Sequence, residues 1–367
     1  MTYDLAVIGG GPAGCAAAIR SARTGASVIL LERGNLPRHK VCGEFVSAES
    51  LELLGELLVP EYRQLVSDSP RISRGRIFAD GREVAAEINP AAASITRFEM
   101  DSALWNSCIQ NGNSVDIREN CTVQTVTRAE VFTIKTTNEE LQCKAVINAT
   151  GRWSNLTGPA TRSRLTKQRW IGVKAHFSEP DAPLSVDLYF FNGGYCGIQP
   201  IASADNGGGT RINACAMVRA DVATTLAEVL RCHPALLERS RHWQPMTEPV
   251  ATSPLVFHPP EPMQAGMLQV GDAATFVDPF IGDGISLALR SGSLAAECLA
   301  PFFRGECSLP QATAQYCELY DRRLARVFRN SSKLRNLLHW PKAVRKPALM
   351  FLSRSPFLAR QLVRMTR

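Results

Sequence analysis

The chain has 367 residues, enough for about two domains or one large composite one. It is 45% hydrophobic and 20% charged, which excludes a disordered or fibrous protein, and no run of ~20 apolar residues marks a membrane span. The net charge of +7 divides unevenly: residues 322–367 hold 13 Lys/Arg and no Asp or Glu, and subtracting them from 41 leaves 28 basic against 34 acidic residues in the body.

The elements follow in chain order. "YDLAVIGGGPAGCAAAIRSARTGASVILLERG" predicts strand, tight glycine turn, helix and strand. Residues 5–8 are a short apolar run, as in a buried parallel strand. Residues 15–23 are alanine-rich, suited to a helix packed close on a sheet, and residues 27–31 form a second strand ending at Glu32. "ESLELLGELLVPEY" spaces its leucines for a helix that stops at Pro60. Residues 71–89 alternate, with Asp80-Gly81 as a hairpin turn. "ITRFEMDSALWNSCIQNG" predicts a helix closed by Asn111-Gly112, and residues 123–151 three short strands. Residues 170–218 read as strands interrupted at "NGGYCGIQP" and "ADNGGG", and residues 222–230 as a helix. "MLQVGDAATFVDPFIGDGISLALRSGSLAAECL" predicts strand, loop and a long helix from about Ile285; from Gln311 onward the chain is helical and basic.

The two textures interleave, which predicts an α/β (mixed α+β) fold whose chain crosses between domains more than once. Residues 1–70, 95–165 and 255–300 form the unit around the glycine turn. Residues 71–94 and 166–254 form a mainly antiparallel sheet, and residues 301–367 a basic helical C-terminal segment. Met1 to Asp4 lead straight into "LAVIGG" without the basic stretch of a secretory signal. The 11 cysteines form no Cys-x-x-Cys pair and no Cys/His cluster at zinc-finger spacing, so no metal site is expected. A reduced, cytoplasmic protein follows.

Gly9-x-Gly11-x-x-Gly14 follows a strand and opens a helix, and Glu32 ends the next strand 18 residues after Gly14. Gly9 permits the tight turn, Gly11 lets backbone approach a pyrophosphate, and Gly14 allows close helix–strand packing. The helix N-terminus offers N–H groups to the phosphates, and Glu32 accepts from ribose hydroxyls. Pro12 and Ala13 in the turn, and Arg33 after Glu32, complete this cofactor-binding set.

"LQVGDAATFVDPFIGDGISLALRSG" delivers Gly271-Asp272 from a strand, then Gly282-x-Gly284 before a helix at Ile285. This resembles the GD motif of FAD-dependent oxidoreductases with the p-hydroxybenzoate hydroxylase type of fold. Its "DAATFVDPFIGDGI" version is most similar to geranylgeranyl reductases and flavin-dependent halogenases. The resemblance implies a Rossmann-like FAD-binding domain interleaved with a mainly antiparallel β-sheet substrate domain and a helical C-terminus. It implies that Asp272 binds the flavin ribityl chain, that the helix after Gly284 points at the flavin pyrimidine edge, and that Arg97 in "SITRFEMD" contacts the cofactor. "VINATGRWSN" carries Thr150 where hydroxylases carry the Asp of their "DG" fingerprint. That puts ordinary NADPH use in question and leaves the reductant open between NAD(P)H and a separate electron donor.

Pro37-x-x-x-x-Cys42-Gly43 resembles a geranylgeranyl reductase motif whose cysteine lies near the flavin and is tied to reduction of carbon–carbon double bonds. A thiol there suits proton donation, and Arg38, His39 and Lys40 favour the thiolate. The bland alternative is a small buried hydrophobe. The family's substrate-side Tyr-x-Trp-x-Phe-Pro reads here with Tyr195 and Pro200 matched, but Gly197 and Gln199 replace the two large aromatics. The substrate pocket therefore differs, and a polyprenyl substrate does not carry over. Cys196 lies in the same stretch, and a position facing Cys42 is a minor alternative for it.

The resulting expectation is an FAD-dependent oxidoreductase that reduces or oxidises carbon–carbon bonds of a lipid-like, small-molecule or carrier-protein-bound substrate by hydride transfer at flavin N5. The alternative is a monooxygenase of an aromatic or polyketide-like substrate acting via a flavin hydroperoxide. A halogenase is disfavoured: the Trp-x-Trp-x-Ile-Pro segment is missing, and no Lys lies between Val41 and Ile134. A non-enzymatic FAD-binding protein is disfavoured by the complete set of redox elements. The basic tail suits an anionic membrane surface, an acidic acyl carrier protein, or the chain's own acidic body. A membrane-bound tail would make the protein peripheral on the inner face of the membrane. No nucleic-acid module is present.

Overall fold

The structure is a computed structural model that describes residues 2–110, 115–152, 156, 169–203, 209–255 and 257–329. Its first sheet runs in the order Met263–Gln264, Met267–Gln269, Glu140–Asn148, Thr2–Ile8, Val28–Leu31, Val115–Arg118. The four pairings from Met267–Gln269 to Val115–Arg118 are parallel. Val123–Arg128 and Phe132–Thr136 form a hairpin laid on the start of Glu140–Asn148. Parallel strands covered on both faces must be apolar throughout, and Leu5, Ala6 and Val7 have no solvent exposure. The alanines of helix Pro12–Arg23 are buried, with Ala16, Ala17 and Ala18 wholly shielded from solvent. Their small size lets the helix meet Gly284–Phe303 almost backbone to backbone: a Cβ on Gly292 would sit 2.1 Å from the Ala13 carbonyl.

The second sheet runs Gln244–Pro245, Trp170–Glu179, Thr210–Arg219, Gly194–Ser203, Ser185–Phe191, Arg71–Ala79, Arg82–Ser94, Phe45–Val46, with Val250–Leu255 beside Trp170–Glu179. It is antiparallel except where Ser185–Phe191 meets Arg71–Ala79. Its outer face carries Val173, Ala175, Cys196, Ile198 and Ile212, packed with Leu226, Val229 and Leu236 of the short helices Leu226–Arg231 and Pro234–Arg239. Side chains alternate across a strand, so Lys174, His176, Tyr195, Asn213, Cys215 and Met217 lie on the inner face. Phe45–Val46 pairs with Ala93 and Ser94. The segment after Cys42 thus leaves the glycine-turn unit and enters the edge of the second sheet.

Two expectations change. "NGGYCGIQP" is not a break: only Asn192-Gly193 turns, and Gly194–Ser203 is one long strand. Its glycines serve close approach, since a Cβ on Gly194 would sit 2.5 Å from the Met217 carbonyl. The helix expected from residue 222 begins at Leu226, because Thr225 and Glu228 form a capping box there. The long helix begins at Gly284, in keeping with the start expected at about Ile285. The hairpin at Asp80-Gly81 takes left-handed φ at both residues, 50° and 75°. Asn111-Gly112 and the basic tail beyond Arg329 lie outside the described residues. No helix among the described residues is long and apolar enough to cross a membrane.

Candidate active site

A cleft of about 560 Å³ is lined by the glycine turn, the loop Gly271–Ile285, residues 38–45 and the inner face of the second sheet. The three glycines of the turn differ in what they permit. A Cβ on Gly14 would sit 1.8 Å from the Gly9 carbonyl, and one on Gly9 (φ 109°) 2.4 Å from the Ala149 carbonyl. A Cβ on Gly11 would meet nothing within 4 Å, and Gly11, Pro12 and Ala13 line the cleft. Packing therefore demands Gly9 and Gly14, while the open space at Gly11 is a cradle for a group arriving from the cleft. No side chain caps this helix start, and its first turn holds no acid, so its N–H groups and dipole are available to an anion.

Glu32 is buried at one end. Its carboxylate accepts from the Gly10 N–H at 2.8 Å, the Gly34 N–H at 3.1 Å and Arg38 at 3.0 Å. Burial opposes its charge, but the Gly10 N–H and Arg38 hold its carboxyl below the usual range. Arg33 is exposed at the rim of the cleft.

Gly271 adopts φ 58°, and its N–H donates to the Ser291 hydroxyl at 2.9 Å. Asp272 keeps a partly exposed carboxylate 3.7 Å from Arg152 Nε, and the Arg152 guanidinium lies 4.2 Å from the Phe276 ring centroid. Gly282 is left-handed (φ 80°), and a Cβ there would sit 2.8 Å from the Phe45 ring. Gly284 is open like Gly11, and the first turn of its helix also lacks an acid. Gly282, Gly284 and Ile285 all line the cleft. Two uncapped helix starts, each with an open glycine, share one cleft with Glu32 and Asp272, and this arrangement fits FAD.

Cys42 is half-buried in the same cleft. The neighbours expected to charge it are engaged elsewhere. Arg38 pairs with Glu32, Lys40 Nζ lies 3.7 Å from Asp101, and His39 stacks on Phe98 with centroids 5.1 Å apart. The cation beside the thiol is Arg97, which grips Asp101 through two bonds of 2.9 and 2.8 Å. Burial opposes the Arg97 charge, but Asp101 and then the Cys42 sulfur reinforce it and raise the guanidinium further. Arg97 lines the cleft, with its guanidinium committed to Asp101.

Cys196 does not face Cys42. Strand alternation turns it to the outer face, where it is fully buried in the apolar core. The second cleft thiol is Cys215, on the adjacent strand opposite Gly197. Burial, and next the proximity of Cys42, push the Cys215 thiol well up, so it stays protonated.

Glu44 escapes sequence reasoning. It is fully buried, ion-paired with Lys174 and bonded at 2.8 Å to His176 Nε2. Burial opposes its charge, but His176 and then Lys174 hold its carboxyl below the usual range. A signal was present: Lys174 and His176 alternate in the otherwise apolar run "WIGVKAHF", so they share one face of a buried strand and need a buried counter-charge.

Tyr195 roofs the cleft in an apolar cluster with Met217, Leu255 and Phe276. The Phe190 and Phe280 rings lie 5.5 and 6.1 Å from it, centroid to centroid. Burial pushes the Tyr195 hydroxyl well up. Gly197 and Gln199 share its strand face but lie beyond the cleft lining. Leu188 fills the space at Gly197, 3.2 Å from where a Cβ would stand. None of the cysteines forms a disulfide, and no cluster of metal-ligating side chains is present among the described residues.

Residues 4–188 match the family model described as Lycopene cyclase protein, half of the chain. Digeranylgeranylglycerophospholipid reductase 2 of Methanopyrus kandleri is 26% identical over 349 residues, 91% of this chain and 86% of that protein. The menaquinone reductase of Mycobacterium tuberculosis is 25% identical over 328 residues, 81% of this chain and 76% of that protein. Among solved structures, a geranylgeranyl bacteriochlorophyll reductase-like protein from Thermoplasma acidophilum has a TM-score of 0.76 at 21% identity, covering 100% of this chain and 95% of its own. The flavin-dependent brominase Bmp2 has a TM-score of 0.76 at 18% identity, covering 100% and 93%. These two likenesses establish the fold.

Proposed function

The chain belongs to the lycopene cyclase protein family, and from that premise we propose that this FAD-dependent oxidoreductase reduces carbon–carbon double bonds of a lipid-like substrate. The observation that carries the reading is the joint position of Cys42, Cys215 and the Tyr195 cluster in the cleft that holds Gly11 and Gly284. The relatives named as reductases of digeranylgeranylglycerophospholipid and of menaquinone support the same chemistry.

Bound FAD supplies hydride transfer at N5. Gly11 and the start of helix Pro12–Arg23 would hold its pyrophosphate, Glu32 its ribose and Asp272 its ribityl chain. The start of helix Gly284–Phe303 would present its free N–H groups and dipole to the bound ring. The Tyr195, Met217, Leu255 and Phe276 side chains line the cleft, exclude water and receive an apolar chain. Cys42 holds the proton that the second carbon requires, beside the Arg97 charge that stabilises the sulfur after the proton leaves. Hydroxylation has less support, because Gly197 and Gln199, which suggested an aromatic or polyketide-like pocket, do not line the cleft.

The test is anaerobic reduction of the bound flavin followed by mixing with oxygen in a stopped-flow spectrometer. Direct reoxidation is expected. A spectrally distinct species that persists before reoxidation favours the oxygenase instead. With direct reoxidation, Cys42→Ser should lose turnover of unsaturated lipid and carrier-bound substrates while keeping its flavin.

A further inference from the structure

Glu44 has φ 60°. Residues with a Cβ seldom adopt this left-handed conformation, and it persists only where the surroundings over-determine it. Here they do. The Glu44 carbonyl accepts from the Ile95 N–H at 3.0 Å. One carboxylate oxygen accepts from the Arg97 N–H at 2.8 Å and from the Lys174 ammonium, and the other pairs with His176 at 2.8 Å. The remaining bond runs inward: the Glu44 N–H donates to the Cys42 sulfur at 3.4 Å. Asn213 fixes the intervening peptides, donating to the Cys42 carbonyl at 3.0 Å and the Gly43 carbonyl at 2.9 Å.

Burying a carboxylate with an ammonium is a poor route to stability, because well-packed apolar residues do as well or better. What this arrangement achieves is an aimed backbone. Lys174, His176 and Asn213 reach the loop from the second sheet, while Ile95 and Arg97 reach it from the start of helix Arg97–Gln110. The loop is thereby held from both sides of the cleft.

We propose that Glu44 is a positioning residue for Cys42: its clamped carboxylate keeps residue 44 in the left-handed conformation that directs its N–H at the sulfur. The sulfur is then held as a hydrogen-bond acceptor at a fixed place in the cleft. The inference rests on the role of Cys42 proposed above.

The test is alkylation of Cys42 by iodoacetamide in the flavin-loaded protein, quantified on the Cys42 peptide by mass spectrometry across pH. Glu44→Ala should slow alkylation at neutral pH about ten-fold, the loss expected for one hydrogen bond to a charged group, and move the profile to alkaline pH. Glu44→Gly, which tolerates the left-handed backbone but cannot be clamped, should behave like Glu44→Ala. An unchanged rate and profile in the folded variant overturns the proposal. Faster alkylation also overturns it, because Glu44 would then only shield the thiol. If Glu44→Ala does not fold, His176→Asn, which removes one partner of the carboxylate, decides by the same criterion. Cys42→Ser tests the other premise separately. If it turns over substrate like the wild type while the Glu44 variants still move the alkylation profile, the functional reading of Cys42 fails and the positioning stands.

Discussion

Replacing Lys174 by Met should destabilise the protein far more than loss of an ordinary ion pair. Lys174 is 1% exposed and its partner Glu44 has no exposure. A surface pair contributes at most ~1 kcal/mol, but removing one partner of a buried pair strands the other charge and costs ~3–5 kcal/mol. His176, already bonded to the second carboxylate oxygen, offsets part of this, so ~3 kcal/mol is the expected value. That is a large share of a native margin of ~5–15 kcal/mol. The assay is urea unfolding at neutral pH, read by far-UV circular dichroism and by flavin fluorescence. The cycle closes with Glu44→Gln and the double variant, whose coupling should reach ~2 kcal/mol. The sign of the pH dependence is also set. The fold lowers the Glu44 carboxyl below its unfolded value. Its stabilisation is therefore complete above the unfolded value of about 4.3 and is lost as pH falls through the folded one. A Lys174→Met protein within ~0.5 kcal/mol of the wild type, or strict additivity in the cycle, would refute the reasoning.

The two glycines of the first turn should fail differently. Gly14→Ala places a Cβ 1.8 Å from the Gly9 carbonyl, so soluble expression and the thermal transition should both suffer. Gly11→Ala meets no atom of the chain within 4 Å; its melting as apoprotein should be unchanged, while FAD affinity, measured by fluorescence titration, should fall at least ~ten-fold for the lost backbone approach. The basic C-terminal segment is proposed to bind anionic membrane, so removing residues 335–367 should lower co-sedimentation with phosphatidylserine liposomes at low salt. No co-sedimentation of the full-length protein under those conditions would end that proposal.

The parts whose physics is local were legible in the amino-acid order alone. Gly9, Gly11 and Gly14 reveal themselves because a strand–turn–helix with that spacing has few chain conformations open to it, and the spacing to Glu32 is covalent. Gly271-Asp272 and Gly282-x-Gly284 are legible through the resemblance to FAD-dependent oxidoreductases, and the Asp80-Gly81 hairpin through its turn, to which the two left-handed residues belong. Tertiary structure decided what depends on which face of a strand meets which neighbour. Cys196 and Cys215 look equivalent in sequence, yet one packs in the outer core and the other lines the cleft. The glycines of "NGGYCGIQP" look like a loop until close strand contacts account for them. Arg38 looks like a partner for Cys42 until Glu32 claims it. Glu44 lies far in the chain from the neighbouring pair Lys174 and His176, and only the fold assembles the three, because a buried charge must find its counter-charge wherever packing brings one within reach.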